Sequence, residues 1–288
     1  PVVLWNADHE WASFIKQIGR AVPDGWSTKY IFEFIGAVIG LLNPLVAVLA
    51  GVGLARAVRG ARRGDAAFGL MLWTCVPFFV YLLAHSLHSR VQGNWPAPLF
   101  PALALLAGVV AADPPAAFRR GFGLLAKVAV VLGVAVSLVV YVHAVQPLTG
   151  SLARKDPTFQ TRGWPDIRDE VMRLAEDEGA AWIATYGYGL NAQLAVNLAG
   201  ILPVEQLTER IRYVMRPSLD AATLARPALF VVEARRDPGE AVLGERFGEV
   251  ARVAVLTRRV KGVALEDLVV YRVAAPRGAP LDPVYPLP

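Results

Sequence analysis

Two short stretches of this 288-residue chain gather the residue types that handle charged ligands beside an apolar surface. One is His85-Ser86-Leu87-His88-Ser89-Arg90-Val91-Gln92-Gly93-Asn94-Trp95-Pro96, which packs two imidazoles, a guanidinium and two amides into a connection between apolar runs. Arg90 is the residue suited to an anion, because a planar guanidinium meets a phosphate through two parallel hydrogen bonds. His88, Asn94 and Trp95, with Lys16 and Arg20 from the start of the chain, accompany it as candidate ligands for a phosphate or lipid head group, and Gln92, His9, Glu10 and Glu33 are further site candidates. His85 and His88 have the i, i+3 spacing of a helical metal pair, but no third ligand lies close by, so no metal is expected. The other stretch opens the chain. Trp5, Trp11, Phe14 and Ile18 suit an amphipathic helix lying at a membrane interface, with His9, Glu10, Lys16 and Arg20 on its water side. Aromatic residues also collect at interfaces for purely physical reasons.

These residues need elements to hold them, and hydropathy indicates which. Apolar residues make up 55% of the chain, and they concentrate between Tyr30 and Val145. A bilayer core takes about 20 apolar residues per helix. Four runs approach that length, at about 30–55, 66–84, 96–112 and 121–142, with residues 1–29 as an interfacial segment before them. Glu33 and Asn43-Pro44 interrupt the first run, and Lys127 is the one charge in the last, where its stem lets the ammonium reach the interface. Glu33 is compatible with a cavity-facing role or a plain interfacial position.

Charge gives orientation. Residues 1–150 hold 11 Lys/Arg against 6 Asp/Glu, whereas residues 151–288 hold 18 of each, so the net +5 belongs to the apolar half. Arg56, Arg59, Arg62 and Arg63 follow the first run and Arg119 and Arg120 precede the fourth, while Arg90 alone lies between the second and third. Both arginine-rich connections are therefore expected in the cytoplasm, and everything after Gln146 outside it. The balanced second half removes the motive for a nucleic-acid partner. Cys75 is the only cysteine, which excludes an intramolecular disulfide.

From 151 to 288 the pattern is that of a mixed α/β domain after a polar linker. Trp164–Glu178 has helical spacing, with Pro165 in its first turn and Gly179 at its stop. Strands are expected at 181–186, 228–233, 250–256 and 265–273, and a helix at 190–198. Gly187-Tyr188-Gly189 sits where phosphate loops sit, but it lacks the third glycine or Lys-Ser/Thr of the known fingerprints and reads as a turn. Arg258, Arg259 and Lys261 read as a solvated strand end.

Residues 5–17 (WNADHEWASFIKQ), 33–44 (EFIGAVIGLLNP) and 89–108 (SRVQGNWPAPLFPALALLAG) together resemble a known family. They are similar to integral-membrane glycosyltransferases of the protein O-mannosyltransferase-like clan (GT-C type), among them bacterial enzymes like lipid A aminoarabinose transferase. A weaker echo falls in YGYGLNAQLAVNLAG and LPVEQL. The resemblance covers about residues 1–112. It implies an inverting transferase at the outer face of the bacterial inner membrane, using a polyprenyl-phosphate-linked sugar as donor and a glycolipid, polysaccharide or protein as acceptor. No further cofactor is expected. It also implies a catalytic carboxylate in a first periplasmic loop, and Asp8 and Glu10 do not match that motif by position. With Pro1 in place of an initiator Met and no signal peptide, the chain is expected to be the C-terminal part of a longer protein, inactive alone, with that carboxylate upstream. A membrane-anchored binding module is the alternative. A transporter fits less well, since the later runs carry almost no charge and no inverted repeat is present.

Overall fold

The computed structural model describes residues 1–21, 25–147 and 156–285, apart from the side chains of 19–21. They form two compact units, one of Gln17–His143 and one of Pro1–Lys16 with Ala144–Pro288.

In chain order the helices begin with α1 (Val2–Asp8) and α2 (Ala12–Ala21). The expected single interfacial helix is thus broken, with positive φ at Glu10 and Trp11. Asn6 makes the join: its Nδ2 donates to the Val2 carbonyl at 2.9 Å and its Oδ1 accepts from the Ser13 amide at 3.0 Å.

The helical unit, from Gln17 onward, holds α3 (Lys29–Leu42), α4 (Pro44–Ala61), α5 (Ala66–His85), α6 (Phe100–Ala112) and α7 (Arg119–Val145), the last as far as His143. Three helical stretches are long and apolar enough to cross a membrane, Pro44–Ala61, Ala66–His85 and Ala116–Val145. The apolar helix Ala97–Ala112 is shorter. The expected first span at 30–55 is therefore corrected. Proline pushes its predecessor out of the helical region, and Asn43 turns with φ 77° and ψ 120°. The second piece runs on to Ala61, so Arg56 and Arg59 belong to a helix and not to a loop.

Small residues set the packing. Ala50, Gly53 and Ala57 are buried along one side of α4, and a Cβ on Gly53 would collide with the Leu106 carbonyl of α6. That is how helices approach closely where lipid supplies no hydrophobic drive. Outward faces stay apolar, with Trp73 79%, Val131 69% and Val139 67% exposed, and of α7 only Ala129 is buried. Such a surface suits lipid contact.

The second unit adds α8 (Trp164–Asp177), β1 (Trp182–Thr185), α9 (Tyr188–Asn197), β2 (Val204–Gln206), α10 (Ala221–Leu224), β3 (Ala228–Glu233), α11 (Gly239–Gly244), β4 (Phe247–Val260) and β5 (Val263–Pro276). The sheet order is β2-β1-β3-β5-β4. β1 lies parallel to β2 and β3, and β5 lies antiparallel to β3 and β4. β1 and β3 are buried at every residue. One face of the sheet (Ile183, Leu229, Val231) meets Ile167, Val171 and Leu194 of α8 and α9, and the other (Trp182, Phe230, Val232) meets Leu243 and Phe247. A strand covered on both sides must be continuously apolar.

Several boundaries move. The 250–256 and 265–273 strands extend to 14 residues each, closed by Lys261 (φ 48°) and Gly262 (φ 80°), two left-handed residues that match the twist of a hairpin. The 190–198 helix begins at Tyr188, so Gly187 is its N-cap and Gly189 lies inside it. Of the polar linker expected at 151–163, residues 151–155 lie outside the described residues, and the rest holds a short 3-10 turn at Pro157–Phe159.

Replacing Gly53 by Leu should cost about 1–3 kcal/mol through overpacking against the α6 backbone. Gly51→Ala, where an added Cβ meets nothing within 4 Å, should leave the protein at least as stable. Thermal unfolding of the detergent-purified protein compares the two.

Candidate functional site

The end of α5 and the connection after it form a polar rim on the helical unit. His85 is buried, its ring centroid 4.7 Å from that of His88 and 5.3 Å from that of Trp95. Trp26 meets His88 edge-on at 6.4 Å. The Ser27 amide donates to the Leu87 carbonyl at 2.7 Å, tying the start of α3 to this connection. Beneath lie Phe34, Leu82, Val91 and Leu99, all buried in one cluster.

Glu33 of α3 stands 2.8 Å from Arg90 Nε. This is an ion pair out of hydrogen-bond alignment, since Glu33 Oε2 is buried without a hydrogen-bond partner. The Arg90 side chain remains 73% exposed and that of Glu33 33%. Arg90 is thus oriented by a carboxylate on one side and open to a ligand on the other. Gln92 and Asn94 are exposed and Trp95 is half-buried. An apolar pocket of about 260 Å³ lies among α3, α4, α5 and α6, lined by Ile35, Val38, Leu54, Phe79 and Leu103 among others.

Lys16, His9 and Glu10 belong to the unit that holds the sheet. The His9 ring stacks on Trp5 at 4.2 Å and its Nδ1 lies 2.8 Å from the Trp5 carbonyl. Glu10 is exposed. Lys16 is 3.5 Å from Glu209, which also pairs with Arg212, and Arg212 lies over the Tyr188 ring at 4.4 Å. The Arg20 side chain lies outside the described residues. Among the described residues no three His, Cys, Asp or Glu side chains gather as a metal site.

A polar network at the carboxyl ends of β1 and β2 has no counterpart in the sequence reading. Thr185 donates to Asn191 at 3.1 Å, Asn191 donates to Tyr213 at 3.1 Å, and Tyr213 donates to Gln206 at 2.7 Å. Burial pushes the Tyr213 phenol up, which keeps it a donor. Beside it Arg210 and Glu205 form a buried ion pair, with Arg210 also bonded to the Gln206 carbonyl and to Ser218. The alternation of charge in Glu209-Arg210-Ile211-Arg212 was the available signal, but only the fold shows that Arg210 turns inward.

The chain leaves β1 for β2 on one side and β3 on the other, a crossing point whose crevice commonly receives ligands in open α/β sheets. A cleft of about 390 Å³ near it is lined by Gln160, Gln193, Glu233, Arg235 and Glu266 among others. Arg258 also lines it, and is corrected from the solvated end expected: it is 6% exposed, pairs with Glu266 at 2.7 Å, donates to the Phe159 carbonyl at 2.8 Å and lies over the Trp164 ring. Arg259 and Lys261 are exposed.

No family model, curated protein or solved structure matches this chain. Its described residues hold three helices long and apolar enough to cross a membrane and a separate five-stranded α/β domain.

Arg210→Ala should cost up to about 3–5 kcal/mol, because buried Glu205 loses its close partner and keeps only Arg216 at 3.9 Å; tryptophan fluorescence during urea unfolding checks this. Glu209 gives a pH signature. Burial raises its pKa, but the bonds from Arg212 and Lys16 and their charges outweigh that and leave it lowered from 4.5. A depressed carboxylate adds stability that is complete above its unfolded value and lost as pH falls through its folded one. Stability should therefore decline below about pH 4.5 and decline less in Glu209→Gln, measured by urea midpoints across that window.

Proposed function

We propose that the chain is part of a membrane glycosyltransferase that takes a sugar from a polyprenyl-phosphate donor and delivers it to an acceptor at the membrane surface. The observation that carries this reading is the pairing of Arg90 with Glu33 on a rim that also holds His85, His88 and Trp95. A departing lipid phosphate needs fixed cations where its charge develops. Arg90 supplies one whose direction is set by Glu33, and whose exposed face remains open to the phosphate. The apolar pocket among α3, α4, α5 and α6 offers a surface for an isoprenoid chain. The motif Arg90-Val91-Gln92-Gly93-Asn94-Trp95-Pro96 supports the same family.

In this reading the chain sits in the bacterial inner membrane. Both arginine-rich connections face the cytoplasm, the short helix Ala97–Ala112 also crosses, and the α/β domain is periplasmic. The cleft beside β1 and β3 favours a second reading, in which the α/β domain binds a ligand and the helices anchor it.

Arg90→Ala should lower sugar transfer from a polyprenyl-phosphate donor by at least about tenfold, with expression unchanged. Arg90→Lys should recover part of it, since an ammonium keeps the charge but loses the two-pronged geometry. Transfer assays in membranes containing each variant of the full-length protein decide, and unchanged transfer in Arg90→Ala removes this residue from the site. A reporter fused after Gln146 should read periplasmic, and a cytoplasmic signal overturns the orientation.

A further inference from the structure

A second charged feature of the helical unit lies apart from the Arg90 rim in sequence and in lining. A cavity of about 860 Å³ is lined by Arg56, Arg59, Arg63 and Arg119 together with Asp65 and Asp113. Four cations face two anions, and both anions are already engaged. Arg56 donates to the Asp113 carbonyl at 2.7 Å and also pairs with its carboxylate. That bond holds the Asp113 carboxyl below its ordinary range. Asp65 caps α5 by accepting from the amides of Ala67 and Phe68 at 3.0 and 3.2 Å.

Arg59 and Arg63 therefore keep their charge without a carboxylate partner among the described residues, and Arg119, whose charge helps to lower the Asp113 carboxyl, makes no direct ion pair with it. Arg59 uses only its Nε, on the Ala55 carbonyl at 3.2 Å, which leaves both terminal nitrogens of its fork. Val52, Phe68 and Val110 give the same cavity an apolar lining. Gly60 makes room for this wall, since a Cβ there would run into the Phe68 ring.

Cationic forks beside an apolar wall, at the ends of helices apolar enough to cross a bilayer, match a ligand with a phosphate at one end and hydrocarbon at the other. We propose that this cavity binds the phosphate of an anionic membrane lipid, with Arg59, Arg63 and Arg119 as its ligands. Arg56 is held in reserve by Asp113. A free phosphate ion shares the head-group chemistry but makes no use of Val52, Phe68 and Val110. Basic pockets between membrane helices take anionic head groups for this combination of charge and hydrocarbon contact. The proposal does not rest on the transferase reading.

Native mass spectrometry of the delipidated protein in neutral detergent tests it, with phosphatidylglycerol, phosphatidylcholine and inorganic phosphate as separate probes. The expected result is retention of one phosphatidylglycerol in preference to phosphatidylcholine. Each arginine changed to Gln among Arg59, Arg63 and Arg119 should weaken retention about fivefold, and Arg62→Gln, whose side chain does not line the cavity, should leave it unchanged. Asp113→Asn should tighten it by releasing Arg56. Equal weakening by Arg62→Gln would mean a diffuse basic surface and overturn the site. Saturation by inorganic phosphate with no preference between the two lipids would overturn the lipid as its ligand. Where an arginine variant loses helicity by circular dichroism, Asp113→Asn decides alone, tighter retention supporting the proposal and unchanged retention sinking it.

Discussion

The helical unit turns on one asparagine. A bilayer offers no water to backbone groups freed by a helix break, so each must find a partner within the protein. At Asn43-Pro44 a single residue meets that demand. The Asn43 amide donates to the Gly40 carbonyl at 3.4 Å and its own carbonyl accepts from Ala47 at 2.9 Å. Its Oδ1 caps the Leu45 amide at 3.0 Å, and its Nδ2 donates to the Ala129 carbonyl of α7, also at 3.0 Å. The same side chain therefore permits the break and fastens α4 to α7. Without the break that Pro44 imposes, α3 and α4 would be one long helix, and Glu33 would be carried in another direction.

That redirection is what makes a rim possible. α3 brings Glu33 to Arg90, while Ser27 holds the preceding segment to Leu87. Small residues act in concert with the break: the contact of Gly53 with Leu106 lets α6 lie against α4, and the connection between α5 and α6 brings Trp95 to His85. The polar cluster holds together because its members stack on one another, with Trp95 and His88 against the buried His85 ring.

The α/β domain solves a different problem, since its sheet is covered on both faces and its polar groups collect where strands end. Glu205 and Arg210 are buried together, and a buried pair of this kind contributes more to defining one arrangement than to net stability. The Thr185, Asn191, Tyr213 and Gln206 relay uses each donor once. Arg258 does the same on β4, at the opposite edge of the sheet from β2, joining Glu266, the Phe159 carbonyl and the Trp164 ring.

Composition and period alone determined the apolar character of residues 30–145, the α8 helix with its Pro165 start and Gly179 stop, and β3 to the residue, because burial on all sides leaves only an apolar run legible. They also singled out Arg90, Glu33, His88 and Trp95, since a polar cluster between apolar runs stands out by contrast. Length was misjudged wherever local signals conflict with packing. Asn43-Pro44 looked like an interruption inside one span, and whether a Pro kinks or divides a helix depends on what receives the freed groups, here the Asn43 side chain, which caps the Leu45 amide and is itself held by the Ala129 carbonyl 86 residues away. The three-residue β2 is too short to carry a period. Arg258 looked like surface charge and Arg210 drew no reading, because a guanidinium has the same identity in water and in a core. Only the tertiary structure decided which arginines turn inward, because the carboxylates and carbonyls that make burial affordable come from distant parts of the chain.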